Sequence, residues 1–311
     1  MRVFIAGASG AIGRRLIPML VERGHEVVGS TRGNPDAVRA LGAEPVIMDP
    51  LDAGSVMEAV GKATPDVVVH ELTALSGPAD LRRFDRSFAM TNRLRVEGTH
   101  NLLAATRAAG ARRFVVQSFT GWNNERAGGP VKTEADPLDP NPTADSRQTL
   151  AAFRECESTV ENATDVRGII LRYGLFYGPG TGLGRGGEQL KMVEKRQFPV
   201  VGGGTGVWSF VHIDDAAEAT VRAIETDVTG VFNIVDDDPG RVSEVLPALA
   251  RAAGAKLPWR LPAWLVRPML GEHGVSLMTK ARGSSNAKAR RELGWEPRHP
   301  SWRQGFAETL R

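Results

Sequence analysis

Cysteine occurs once in 311 residues, as Cys156, so no disulfide can close within the chain. Tyrosine occurs only as Tyr173 and Tyr177, and lysine seven times against 32 arginines. No apolar run approaches the ~20 residues of a membrane-spanning helix. Charge of neither sign dominates: the net value is +3, and basic residues are interleaved with acids along most of the chain. These shortages exclude a disulfide-stapled scaffold, a membrane span and a nucleic-acid-binding stripe. The first residues already read as a core strand, which leaves no room for a signal peptide, so a cytoplasmic location is expected. At this length the chain can bury a substantial core without staples, as one large domain or a domain with a smaller lobe.

What is present starts at the N-terminus. Val3-Phe4-Ile5-Ala6 reads as a buried parallel strand, and Gly7-Ala8-Ser9-Gly10-Ala11-Ile12-Gly13 as a tight turn into a helix. Such a turn suits a pyrophosphate: Gly7 takes the bend, Gly10 admits the phosphate, Gly13 lets helix and strand pack closely, and free amides face the anion. Gly7, Ser9, Gly10, Ala11 and Ile12 are therefore the expected phosphate contacts of a dinucleotide, with Asp49 and Pro50 around its adenine. The helix carries Ile12, Leu16, Ile17 and Leu20 on one face and ends at Gly24, with a mild kink expected at Pro18. After the second strand, His25 to Gly29, an NAD site usually presents an acid to the ribose hydroxyls; here stands Ser30-Thr31-Arg32. Arg32 is placed to meet a 2′-phosphate, favouring NADP(H) over NAD(H); otherwise it is an ordinary surface arginine.

Further strands are expected at Val46 to Met48, Val67 to His70, Phe114 to Ser118 and Ile169 to Arg172, with helices between. Strict alternation of this kind gives an α/β fold, a Rossmann-type doubly wound parallel sheet. Helices are expected over 92–109 and from about Arg147 to Asn162. Residues 121–145, rich in glycine and proline, read as a long loop over the strand ends, where open sheets carry their sites.

GASGAIG, Val69-His70, Gly98-Thr99 before Asn101-Leu102-Leu103, LRYGLFYGPG, FVHIDDAAEA, GVFNIVDD and ARRELGWEP occur in an order that resembles the extended short-chain dehydrogenase/reductases, the NAD-dependent epimerase/dehydratase family. The resemblance runs almost end to end. It implies an NADP-binding Rossmann domain over 1–177, to which 208–235 return, and a smaller C-terminal substrate lobe over 178–207 and 236–311. It also implies that Leu72, Thr73 and Ala74 line the far ribose and phosphate. Gln117 and Ser118, with the backbone of Tyr173, Gly174, Leu175 and Phe176, would approach the nicotinamide half. Helices 92–109 and 147–162, with Ala151, Ala152 and Phe153, would serve a possible homodimer. Glycine-rich 182–187 reads as a substrate lid.

The family's Tyr-x-x-x-Lys pair is absent, which marks an atypical member: Thr149 stands at the tyrosine position and Phe153 at the lysine position. Threonine is a far weaker acid and phenylalanine carries no charge. Thr120 and Tyr173 are the candidate catalytic hydroxyls; each has an alternative in capping or packing. His212 and Asp214 read as a helix start, with Asp214 the cap, ahead of a catalytic dyad. Lys191 and Arg185 in the lid are placed to hold a small, possibly anionic substrate, or are simply solvated, and Trp122 and Trp208 complete the expected pocket. The expectation is an NADP(H)-dependent oxidoreductase or epimerase acting on a small carbonyl or sugar-like compound. A redox-silent NADP(H) sensor and a non-redox isomerase or cyclase remain open.

Overall fold

The computed structural model describes residues 1–75, 77 and 79–310. Seven parallel strands form one sheet: β1 Arg2–Ala6, β2 Glu26–Thr31, β3 Glu44–Ile47, β4 Val67–His70, β5 Arg113–Phe119, β6 Arg167–Tyr173 and β7 Gly230–Ile234. Their spatial order is β7-β6-β5-β4-β1-β2-β3, and Val3 lies between Val27 and Val67. The chain thus runs outward in one direction to β3 and in the other to β7. The reversal lies between β1 and β4, where the strand ends open a crevice.

Side chains along β1 alternate between two cores. Val3 and Ile5 enter one with Leu16, Ile17 and Leu20 of α1 (Gly13–Glu22) and Ala216, Ala219 and Ala223 of a helix over Ile213–Glu225. Phe4 and Ala6 enter the other with Val56 and Val60 of α2 (Ala53–Ala63), Leu102 and Leu103 of α3 (Thr99–Ala108), and Cys156 and Val160 of α4 (Arg147–Glu161). Two-faced burial explains why the strands read as continuous apolar runs. Cap chemistry sets the helix ends: Asp52 accepts from the amides of Gly54 and Ser55 at 2.8 and 3.2 Å, whereas α1 has no side-chain cap. α1 continues through Pro18.

The expected helix over 92–109 is a composite. Ala89–Arg93 is followed by a π-turn, Leu94–Gly98, before α3 begins. A third core gathers Tyr177, Leu190, Trp208, Phe210, Val242, Leu246, Trp302 and Phe306 into a lobe of mainly C-terminal segments. Its longest helix, Ala263–Thr279, breaks at Gly271, where φ is 71°. Asp236 ties this lobe to the end of β7: its Oδ2 accepts from the Trp302 amide at 2.7 Å. Among the described residues no helix is long and apolar enough to cross a membrane.

Candidate active site

β1 delivers Gly7 at φ 104°, and a Cβ there would lie 2.7 Å from the Glu71 carbonyl oxygen. A Cβ on Gly13 would lie 2.5 Å from the Gly7 carbonyl oxygen, so only glycine closes this turn. The amides of Ala11, Ile12 and Gly13 make no hydrogen bond among the described residues, and the first turn of α1 holds no acid. Free amides at a helix start, without a competing carboxylate, fit a dinucleotide pyrophosphate. Arg14 closes the outer edge, its Nε donating to the Ser9 carbonyl at 2.8 Å.

The remaining cofactor candidates lie along the same sheet edge. Arg32 follows β2, exposed and with no hydrogen bond or ion pair among the described residues. Asp49 is exposed, and buried Pro50 is fixed by Asn101 Nδ2, which donates to its carbonyl at 3.0 Å. Beyond β4, Leu72 and Ala74 are held by backbone bonds to His70 Nδ1 (3.2 Å) and Thr91 Oγ1 (3.1 Å), and Thr73 between them is exposed. Because an amide cannot accept, Nδ1 of His70 is bare and Nε2 carries the hydrogen directed at the Leu94 carbonyl, 3.2 Å away. Burial pushes that imidazole down to about 4. Gln117 donates to the Leu72 carbonyl at 3.0 Å, while the Gly174 and Leu175 amides are spent on Ile234 and Ser209, which leaves half-buried Phe176 beside them at the strand end.

Three expected hydroxyls point elsewhere. Ser118 donates to Glu157 at 2.6 Å, inside a buried pair in which Arg172 grips both oxygens of Glu157 at 2.8 and 2.5 Å. Thr120 is engaged with Asn124 Oδ1 (3.2 Å) and Ser284 Oγ (2.5 Å), knotting β5 to the strand pair Val131–Lys132 and Gly283–Ser284. Tyr173 is fully buried in the α1 core; its Oη lies 3.0 Å from Glu71 Oε1 and 2.7 Å from Thr220 Oγ1. Burial raises that phenol well above its ordinary range. Partners beneath the surface, in the loop and strand pair for Thr120 and at Glu71 and Thr220 for Tyr173, turn these side chains inward, and both candidate catalytic hydroxyls are buried.

The second half of the chain shows further departures. His212, not Asp214, caps the helix Ile213–Glu225, its Nδ1 accepting from the Asp214 amide at 3.3 Å. Asp214 instead pairs with Arg15 at 3.3 Å, and Arg15 also donates to the Pro179 carbonyl at 3.1 Å, tying the turn at Pro179 to α1. Lys191 is exposed and paired with Glu188 at 2.7 Å, Arg185 is exposed, and Trp208 is buried with its Nε1 donating to the Leu277 carbonyl. His212, Asp215 and His299 approach one another as metal ligands do, but both oxygens of Asp215 already accept the Arg298 and His299 amides.

Where the family pair would stand, Thr149 Oγ1 donates to Asp85 at 2.7 Å and accepts from Asn92 Nδ2 at 3.0 Å. Phe153 carries the guanidinium of Arg95 at 3.7 Å from its ring centre. Phe153 also packs against Phe119 and Trp122, with centroids 6.4 and 6.1 Å away, and Phe84 and His273 meet Trp122 edge-to-face at 5.1 and 5.0 Å. The result is an aromatic wall at the end of β5. Sequence reasoning missed Arg95, Glu71 and His273. Arg95 lies one residue beyond the inward Leu94, and only the π-turn brings it in.

The chain matches the model of the NAD dependent epimerase/dehydratase family over residues 3–235. It is 45% identical, over 98% of its length and 99% of the other chain, to a Streptomyces 3-diazoavenalumate denitrifying reductase. A 2-alkyl-3-oxoalkanoate reductase of Stenotrophomonas maltophilia is 28% identical over 96% of this chain and 95% of its own. Among solved structures, the UDP-glucose 4-epimerase of Thermus thermophilus in complex with NAD superposes with a TM-score of 0.74 at 25% identity, covering 100% of this chain and 98% of that one. The crevice with its glycine turn, the seven-stranded sheet and these likenesses agree, and the chain belongs to the NAD dependent epimerase/dehydratase family.

Proposed function

We propose that this protein is an NADPH-dependent reductase whose acceptor needs a hydride and no proton. The observation that carries the proposal is the state of the two family positions: the Thr149 hydroxyl is committed to Asp85 and Asn92, and Phe153 is apolar. A carbonyl acceptor becomes an alkoxide on receiving hydride and calls for an acid beside it. A diazonium does not. When bound, the dinucleotide supplies hydride from its nicotinamide ring, and R–N2⁺ with H⁻ gives R–H and N2, the C–N bond breaking as the C–H bond forms. The denitrifying reductase at 45% identity supports the same substrate class.

The chain's residues then have positioning work. The glycine turn and Arg32 would hold the phosphates, Leu72 to Ala74 and Gln117 would shape the nicotinamide half, and Phe119, Trp122 and Phe153 would exclude water from the acceptor. Holding donor and acceptor in attack geometry supplies much of the rate where no proton moves. Of the three residues expected at a homodimer face, Ala152 and Phe153 are buried within the chain against its own core, so the face we assign is the exposed edge of α4 with Ala151.

The test is single-turnover reduction of an arenediazonium carboxylate with NADPH deuterated at the nicotinamide C4. Deuterium in the product C–H bond, with none acquired from heavy water in the converse experiment, is the expected result. Tight NADPH binding with no turnover of diazonium or ketone compounds would replace the proposal with the sensor reading.

A further inference from the structure

Arg95 has a charge that nothing described so far accounts for. It is 9% exposed, yet it makes no ion pair among the described residues. Nη1 donates to Asn92 Oδ1 at 2.9 Å; Nε and Nη2 make no hydrogen bond among the described residues, and neither is a sealed atom. Glu157 on α4 is the nearest carboxylate and acts on Arg95 through space, but no hydrogen bond or ion pair joins them among the described residues, because Arg172 and Ser118 hold it. Burial pushes the guanidinium down to about 10, against the opposing pull of Glu157. Buried charges are ordinarily paired. Here no carboxylate bonds the guanidinium among the described residues, and it lies over the ring of Phe153, which packs into the aromatic wall.

That wall has ligand-like features of its own. Phe88, Phe119 and Trp122 are only half-buried, and His273 behind them is 3% exposed with no partner for Nε2. Its other nitrogen is 3.3 Å from Thr143 Oγ1. The free Nε–Nη2 edge of a guanidinium is the edge that takes a carboxylate through two parallel bonds, and flat rings take flat rings.

We infer that Arg95 is the receptor for the carboxylate of a flat aromatic substrate that lies along the half-buried Phe119 and Trp122. The inference names the substrate class of the hydride site and so rests on the reductase reading. One cation matches one carboxylate. A phosphate dianion would leave charge unmatched, since Arg95 has no basic neighbour bonded to it.

The test titrates protein saturated with NADP⁺ with trans-cinnamate and with trans-cinnamamide, which has the same shape without the charge. Cinnamate should bind at least about tenfold more tightly than the amide. Arg95→Gln should erase that ratio and Arg95→Lys should retain part of it, both with NADP⁺ affinity within about threefold of the parent. Circular dichroism and unfolding midpoints show whether each variant is folded. Should Arg95→Gln not fold, the cinnamate-to-cinnamamide ratio of the parent and of Arg95→Lys still decides. Equal affinities for the two compounds in the parent protein overturn the inference. It is equally overturned if Arg95→Gln weakens NADP⁺ by the same factor as cinnamate, because Arg95 would then serve the nucleotide. Failure of the reductase reading shows separately, as NADPH binding without turnover or as binding of neither nucleotide; the cinnamate ratio, measured in the second case on the dinucleotide-free protein, still decides Arg95.

Discussion

The phenol of Tyr173 lies 3.0 Å from Oε1 of Glu71, and both residues are sealed beneath the glycine turn. Thr220 gives its hydrogen to the Ala216 carbonyl at 2.8 Å, so the phenol, 2.7 Å from Thr220, has one hydrogen for two neighbours. A protonated Glu71 supplies the missing one, and burial pushes this carboxyl up to about 8. A neutral Glu71 also spares the pyrophosphate site a buried negative charge.

Stability should therefore fall as pH rises from 6.5 to about 8 and level off above it. Glu71 and Asp236 are both pushed up to about 8 by burial, from 4.5 and 3.8. Between those limits the folded chain keeps protons that the unfolded chain has lost, so their contribution is complete below the lower limit and gone above about 8. His70 and His273, pushed down to about 4 from 6.5, act oppositely and only below 6.5. From 6.5 to about 8 the carboxyls act alone, each at about 1 kcal/mol per pH unit. Urea unfolding across that range should show the decline, and Glu71→Gln should remove roughly half of it. A flat profile in the parent protein would sink the assignment.

Glu157 and Arg172 form the other buried polar unit. Replacing Glu157 by Gln strands a guanidinium in the core beside Ser118 and should cost about 3–5 kcal/mol. Replacing both, as Glu157→Leu with Arg172→Met, should cost less than the single change, since no charge is left unpaired. Denaturant midpoints of the three proteins decide it; equal costs would mean that the pair is solvated.

The sheet was legible because both faces are covered, so Val3 to Ala6 and Val67 to Val69 appear as unbroken apolar runs. The glycine turn was legible because Gly7 and Gly13 are required by backbone contacts that no other residue permits. Hydroxyl direction was not legible. Ser118, Thr120 and Tyr173 lie at strand ends as expected, but their partners, Glu157, Ser284 and Glu71, come from 39, 164 and 102 residues away. Arg95 was hidden for a different reason: a π-turn shifts the helical phase by one residue, and a period of 3.6 carries no trace of it.

Arg32 should decide the cofactor. With no partner among the described residues, its guanidinium is free for a 2′-phosphate, although the epimerase structure from Thermus thermophilus holds NAD. Calorimetric titration should give NADPH at least about tenfold tighter than NADH, about 1.4 kcal/mol, and Arg32→Ala should bring the two together by weakening NADPH alone. Equal loss for both nucleotides would place Arg32 outside the 2′-phosphate site.

Restoring the family pair should not restore family chemistry. Phe153→Lys replaces a ring with an ammonium where the Arg95 guanidinium already lies 3.7 Å from the ring centre, and two cations in a buried setting repel. Thr149→Tyr forces a phenol into a position with 0% exposure, whose hydroxyl and amide are both bound by Asp85. Overpacking alone should cost about 1–3 kcal/mol, and the like charge adds to it. The doubly substituted protein should therefore unfold at lower denaturant than the parent and leave ketones unreduced, as followed by NADPH absorbance. Adding Arg95→Ala should recover part of the stability by removing the second cation, at the expense of cinnamate binding. A double variant that kept parental stability and reduced ketones would show that the aromatic wall is only a vacated carbonyl site, and the hydride-only reading would fall with it.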